Sequence, residues 1–272
     1  MLMRQYRLIY DQPTFGAYNM AVDEAIMNAV AAGESQPTLR FYAWKPACLS
    51  LGYGQSSKDV DLGRLRQLGW DLVRRPTGGR AILHTEELTY SLCVPQDHPL
   101  AHGGIVESYR RISQAMAFGL ESIGMVPQAQ RRAGKIVDPG PVCFEVTSHY
   151  EIATQDGRKL IGSAQLRRRA CMLQHGSLPL VGDVARICDA LLFETEAERE
   201  SAKIRVREHA ATLADALDRD ISWMHAANAL AYGFAETFDV KLVEGTLTAA
   251  ERSDAERLAG TVYGAAAFTE RR

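Results

Sequence analysis

The sequence predicts an α+β fold: a mixed, mainly antiparallel sheet with flanking helices and a short helical C-terminal tail. Two observations carry this expectation. Strand-forming runs recur as hairpin-like pairs instead of a regular strand–helix–strand series, and helical periodicity dominates only beyond Asp183. With 272 residues, 46% hydrophobic and 24% charged, the chain can fill one core and is not a disordered one. We expect a main domain over residues 1–243 and a helical tail over 244–272 packed on it. The 31 basic and 33 acidic side chains nearly cancel, so no global field points to nucleic acid or an anionic membrane.

Each element has a local reason. Met20, Ile26, Met27 and Val30 fall near helical spacing, with Asn19 as the cap and Asp23 and Glu24 in an early turn. Strand formers fill Thr38 to Trp44 and Cys48 to Leu51 around Pro46, and a short charged helix at Asp61 to Leu68 leads to a strand from Trp70 to Arg75. A Pro76-Thr77-Gly78-Gly79 turn follows, then strands over Arg80 to His84 and Leu88 to Val94. Val106, Tyr109, Ile112, Met116, Leu120 and Ile123 mark the clearest amphipathic helix. Gln128 to Gly140 reads as an exposed loop. Asp156-Gly157 supplies a tight turn between Tyr150–Thr154 and Lys159–Gly162, and one more strand covers Leu173 to Val181. Helical pattern follows through Phe193, Ala210 to Leu217, Ser222 to Phe238 and Ala249 to Tyr263, interrupted by a short strand at Val240 to Val243.

Five cysteines without a CxxC pair fit reduced thiols, and no apolar run reaches about 18 residues, so we expect a cytoplasmic protein with neither secretory signal nor membrane span. GxGxxG and GxxxxGK[ST] cradles are absent. Histidines show no HxH or HExxH spacing, which argues against a metal site.

Arg74-Arg75-Pro76-Thr77-Gly78-Gly79-Arg80-Ala81-Ile82-Leu83-His84 puts two glycines after a basic strand end. Glycine lets backbone N–H groups approach an anion or carbonyl, although a plain hairpin with surface arginines fits the same residues. With Glu87-Leu88-Thr89-Tyr90-Ser91, Asp156 to Gln165, Leu39 to Tyr42, Leu51-Gly52-Tyr53 and Leu173 to Ser177 in the same order, the chain resembles the lipoate-protein ligase and octanoyltransferase superfamily over roughly residues 5 to 240. Within it, the resemblance is to the LipM-type octanoyltransferases.

That resemblance implies a biotin synthetase/lipoate ligase-like fold with an acyl chain between the Arg-Arg-Gly-Gly loop and the Lys159 strand. It implies substrate-binding roles for Tyr53, Arg75, Gly78, Gly79, His84 and His175, though simple packing is an equal reading for the two histidines. Gly162, Ser163 and Ala164 offer backbone donors to an acyl carbonyl, or form a β-bulge. Ligases of the superfamily carry a third glycine at the position of Arg80 and an aspartate at that of Thr85; this chain has neither. Cys143 sits where the LipM-type enzymes carry their nucleophile, sixteen residues before Lys159.

The chemistry fits. A thiolate accepts acyl groups from thioesters and forms near neutral pH beside a cation, which Lys159 supplies before serving as a base. The remaining cysteines, Cys48, Cys93, Cys171 and Cys188, read as structural. The resemblance implies octanoyl transfer from acyl-carrier protein through Cys143 to a lysine of a lipoyl domain or glycine-cleavage H protein, with no cofactor; an ATP-dependent lipoate-protein ligase is the alternative. Arg167 to Arg169 suit either an acidic carrier or a solvated face.

Overall fold

The computed structural model describes residues 4–130 and 151–270. Among the described residues the strands are β1 (Arg4–Tyr10), β2 (Thr38–Tyr42), β3 (Cys48–Leu51), β4 (Asp71–Arg74), β5 (Ile82–His84), β6 (Glu87–Pro95), β7 (Gln128–Gln130), β8 (Glu151–Ala153), β9 (Lys159–Arg168), β10 (Cys171–Pro179) and β11 (Val240–Glu244). Eight form one sheet in the order β11-β1-β2-β6-β10-β9-β8-β7; β4-β3-β5 form a smaller one. Of the pairings between these strands, β1–β11, β1–β2 and β3–β4 are parallel and the rest antiparallel, so the sheets are mixed and mainly antiparallel as expected.

The main sheet is covered on both faces, which is why β2 is buried at every residue and β6 at all but its last. One face carries α3 (Ile105–Glu121) and α6 (Trp223–Phe238), and Leu88, Tyr90, Leu92 and Val94 of β6 point into that core. Alternation turns Thr89, Ser91 and Cys93 to the other face. There α1 (Gly16–Ala31) lies, followed by α7 (Ala249–Leu258) and α8 (Ala266–Thr269) from the C-terminal end. The small sheet packs with α2 (Leu62–Leu68) and α4 (Glu196–His209) around a third core; α5 is Leu213–Leu217.

Several local expectations are corrected. Asn19 is no cap: α1 begins at Gly16, and the buried Asn19 side chain donates to Thr14 O (3.2 Å) and Ala43 O (3.0 Å) while accepting from Arg40 (3.0 Å). A short polar side chain at that position serves tertiary contacts, which sequence spacing does not distinguish from capping. Val106 is 47% exposed despite its helical register with Tyr109. Residues 128–130, read as loop, form β7 against β8. The helix α4 was unforeseen because only Arg199, Ala202 and Val206 of its fourteen residues are buried; Thr195 caps it.

Where α3 crosses α6 the backbones meet. A Cβ on Gly119 would stand 2.3 Å from Ala229 O, and one on Gly233 would stand 2.3 Å from Gly119 N. The C-terminal helices are fastened to α1 and β1: Arg7 forks onto Glu251 (2.7 and 2.5 Å), Ser35 donates to the same carboxylate (2.8 Å) and Asn28 donates to Asp254 (3.1 Å).

Candidate active site

Between α1, the main sheet and the small sheet lies a pocket lined from all three. Arg75, His84, Gly162, Ala164 and His175, five of the residues singled out from sequence, line it. Its apolar wall comes from Met20, Tyr42, Trp44 and Ile82. A mixture of apolar wall with a few polar groups is typical of small-molecule sites.

The glycine loop is shaped from beneath. Arg75 is buried and donates to Ser50 O (3.0 Å), Gly78 O (2.9 Å) and Arg80 O (2.7 Å), so its guanidinium organises the turn. Gly79 has φ +96°, a region in which a side chain is strained.

Two histidine–carboxylate relays flank the cavity. In one, His84 Nδ1 faces Glu87 Oε1 at 2.9 Å and its Nε2 meets Ser50 Oγ at 2.8 Å. A carboxylate accepts, so Nδ1 carries the proton; Ser50 Oγ also accepts from Arg75 (3.2 Å). Thr89 and Ser177 also donate to Glu87. Burial opposes ionisation of Glu87, but His84, Ser177 and Thr89 outweigh it and hold the carboxyl below its usual range.

In the other relay, His175 Nε2 meets Thr77 Oγ1 at 2.7 Å and Nδ1 faces Asp23 Oδ2 at 3.1 Å. Tyr42 donates to Asp23 Oδ2 at 2.9 Å; Arg40 and Ser91 each donate to Oδ1 at 2.8 Å. Burial works against the Asp23 charge, yet His175, Arg40 and Ser91 keep the carboxyl below its normal range, while burial lowers His175 against the pull of Asp23. We read an ionised Asp23 and a neutral His175. Asp23, Glu87, Ser50 and Thr77 were missed as site residues because nothing in their spacing distinguishes them from ordinary polar positions of a helix, a strand or a turn.

Other residues lie elsewhere. Tyr53 is 49% exposed, with its ring 6.4 Å from that of Phe268. Ser163 points to the α3 face. Arg167 can only donate, and its bond to Gln165 Oε1 (3.0 Å) fixes a chain from Gln165 Nε2 to Gln174 Oε1 (2.9 Å), Gln174 Nε2 to Tyr90 OH (2.9 Å), and Tyr90 to Ser163 Oγ (2.8 Å). Arg168 pairs with Glu24 (2.5 Å) and Arg169 with Asn28 (2.8 Å), so the arginine run is engaged internally.

Lys159 opens β9 after the Asp156-Gly157 turn, only 4% exposed, paired with Ala153 and accepting from Ala211 N at 3.0 Å. Cys143 lies outside the described residues. Cys48, Cys93, Cys171 and Cys188 are buried, and burial pushes the Cys48 and Cys93 thiols well up. Among the described residues no His, Cys, Asp and Glu cluster could hold a metal, and no helix is long and apolar enough to cross a membrane.

Residues 16–235 match the lipoyl protein ligase A/B catalytic domain, and the chain belongs to that family. It is 41% identical over 262 residues to the octanoyltransferase LipM of Kyrpidia tusciae, covering 94% of this chain and 95% of that protein. Its identity to the Staphylococcus aureus octanoyltransferase LipM is 38%, over 89% and 90% of the two chains. In structure it superposes with TM-score 0.83 on the bi-partite lipoate protein ligase of Thermoplasma acidophilum, 26% identical, covering 99% and 98%. Lipoate-protein ligase A solved with ATP bound gives 0.79 at 25% identity, covering 98% of each chain.

Proposed function

We propose that the protein is an octanoyltransferase: it takes octanoyl from acyl-carrier protein as a thioester on Cys143 and passes it to a lysine of a lipoyl domain or glycine-cleavage H protein. The observation that carries this reading is the 38% to 42% identity to octanoyltransferases LipM over nine-tenths or so of the chain. The cavity supports it with an apolar wall suited to an acyl chain. Lipoate ligases share the fold, but Arg80 and Thr85 depart from the ligase pattern and favour transfer over ATP-dependent activation.

In the first step the Cys143 thiolate attacks the donor carbonyl, the carbon–sulfur bond to the carrier breaks, and the departing thiolate takes up a proton. In the second the neutral amine of the acceptor attacks the acyl-cysteine, the new amide forms, and the Cys143 thiolate leaves. Lys159, neutral at that stage, accepts the proton that the amine loses. Arg75, Gly78 and Gly79 border the acyl group, with His84, His175, Gly162 and Ala164 along it, and Tyr53 and Ser163 act from outside the cavity. No ATP or metal is needed, because the thioester already carries the free energy. The setting is the cytoplasm, where the carrier proteins are.

Mass spectrometry after mixing with octanoyl acyl-carrier protein tests this. A covalent octanoyl group on Cys143, lost in Cys143→Ala, supports transfer; lipoyl-AMP made from ATP and lipoate, with no adduct, overturns it in favour of a ligase.

A further inference from the structure

We propose that Arg74 is a positioning residue for acyl transfer, through which the C-terminal residues Phe268 and Thr269 hold the Gly78–Gly79 turn in its working shape. This rests on the reading that the turn borders the acyl group. Arg74 and Arg75 are consecutive, so their side chains leave opposite sides of the chain. Arg75 supports its own loop from the cavity side. Arg74, with no exposed surface, reaches the other way and donates to Gly52 O (2.8 Å), Gln55 O, Phe268 O (3.0 Å) and Thr269 O (2.9 Å).

One planar fork therefore ties residues 52–55 to the end of α8, and buried carbonyls on both sides depend on it. Residues 52–55 in turn touch the glycine turn directly. Tyr53 N donates to Thr77 O at 2.8 Å, and Gly52 lies so close that a Cβ there would be 1.9 Å from Gly79 O. The strap is held at further points: Ser57 Oγ donates to Glu270 O (2.9 Å), the Phe268 ring meets Tyr263 edge-on at 5.6 Å, and Tyr263 OH donates to Glu24 of α1 at 2.5 Å. Displacing α8 would remove acceptors from a buried guanidinium, a costly loss for a charged donor, and would release the segment that backs Gly79.

The test compares the full chain with one ending at Gly264, which keeps α7 and the Tyr263 anchor, and with full-length Arg74→Lys, which keeps the charge but not the fork. Hydrogen exchange at the amides of Tyr53 and Thr77 to Arg80 should speed up at least about tenfold in both, with the β10 amides unchanged. The octanoyl-transfer kcat should fall at least about tenfold with KM for the acceptor nearly constant. Exchange profiles that overlay the full chain in both variants would overturn the proposal, as would faster exchange with kcat intact. A full-length chain that transfers no octanoyl group would count against the acyl-transfer reading instead, a result distinct from either of those.

Discussion

Trp44 lies flat on His84, with ring centroids 3.9 Å apart and planes 12° from parallel, while its indole N–H donates to Thr89 Oγ1 at 2.8 Å. Thr89 donates onward to Glu87, the carboxylate that His84 faces, so one indole braces both halves of the relay. Glu87→Gln should test how much the relay holds. Both Glu87 oxygens receive donors, and an amide nitrogen in place of either would face another donor inside the core. We expect a loss of about 2 kcal/mol in urea unfolding; an unchanged midpoint would mean that the relay contributes nothing to stability.

The pH dependence follows from the buried His175 and the half-buried His98. An unfolded His175 takes a proton near pH 6.5, but the folded ring resists it because burial lowers its pKa. Its contribution is therefore full above that pH and declines as pH falls below it. His98, pulled down to about 4 chiefly by burial, acts in the same sense. Asp23 and Glu87, both held low in the fold, add a second loss below the ordinary carboxylate range of about 4. Urea midpoints should drop between pH 7.5 and 5, and His175→Gln should flatten that slope. A midpoint independent of pH over this window would contradict the assignment.

Lys159→Met keeps most of the stem volume and removes the charge. If Lys159 favours the Cys143 thiolate, iodoacetamide alkylation of Cys143 at neutral pH should slow, and its apparent pKa should return toward about 8.5. Lys159→Arg should retain fast alkylation yet turn over poorly, since guanidinium does not give up its proton. Overlaying alkylation profiles for Lys159→Met and the parent would uncouple the two residues.

Transfer from octanoyl acyl-carrier protein should proceed at full rate in EDTA without ATP. The double change Arg80→Gly with Thr85→Asp should not create ATP-dependent lipoylation by itself. Activity seen only with ATP, Mg²⁺ and free lipoate would decide for the ligase.

The sequence made the strands and the long helices legible because alternation and helical spacing coincide with burial. β2, β6, β9 and β10 lie where strand formers cluster, and α3 and α6 where apolar residues recur every three or four positions. It failed where burial is sparse, as in α4, or where a polar residue serves a distant partner, as with Asn19. Five cavity residues were legible from motifs, Arg75, His84, Gly162, Ala164 and His175, since those motifs join the loop to β9 and β10. Their carboxylate partners were not, because Asp23 and His175 are 152 residues apart and meet only across α1 and the sheet.

Replacing helix glycines with alanine is a common route to a more heat-tolerant enzyme, since alanine gains about 1 kcal/mol per position in helix propensity. The α3–α6 crossing closes that route here. Gly119 and Gly233 each stand against the other helix's main chain, so neither can be improved alone, and an alanine at either site would have to lever the two helices apart. A laboratory selecting for thermal endurance should recover substitutions along the exposed sides of these helices and none at the two contact points.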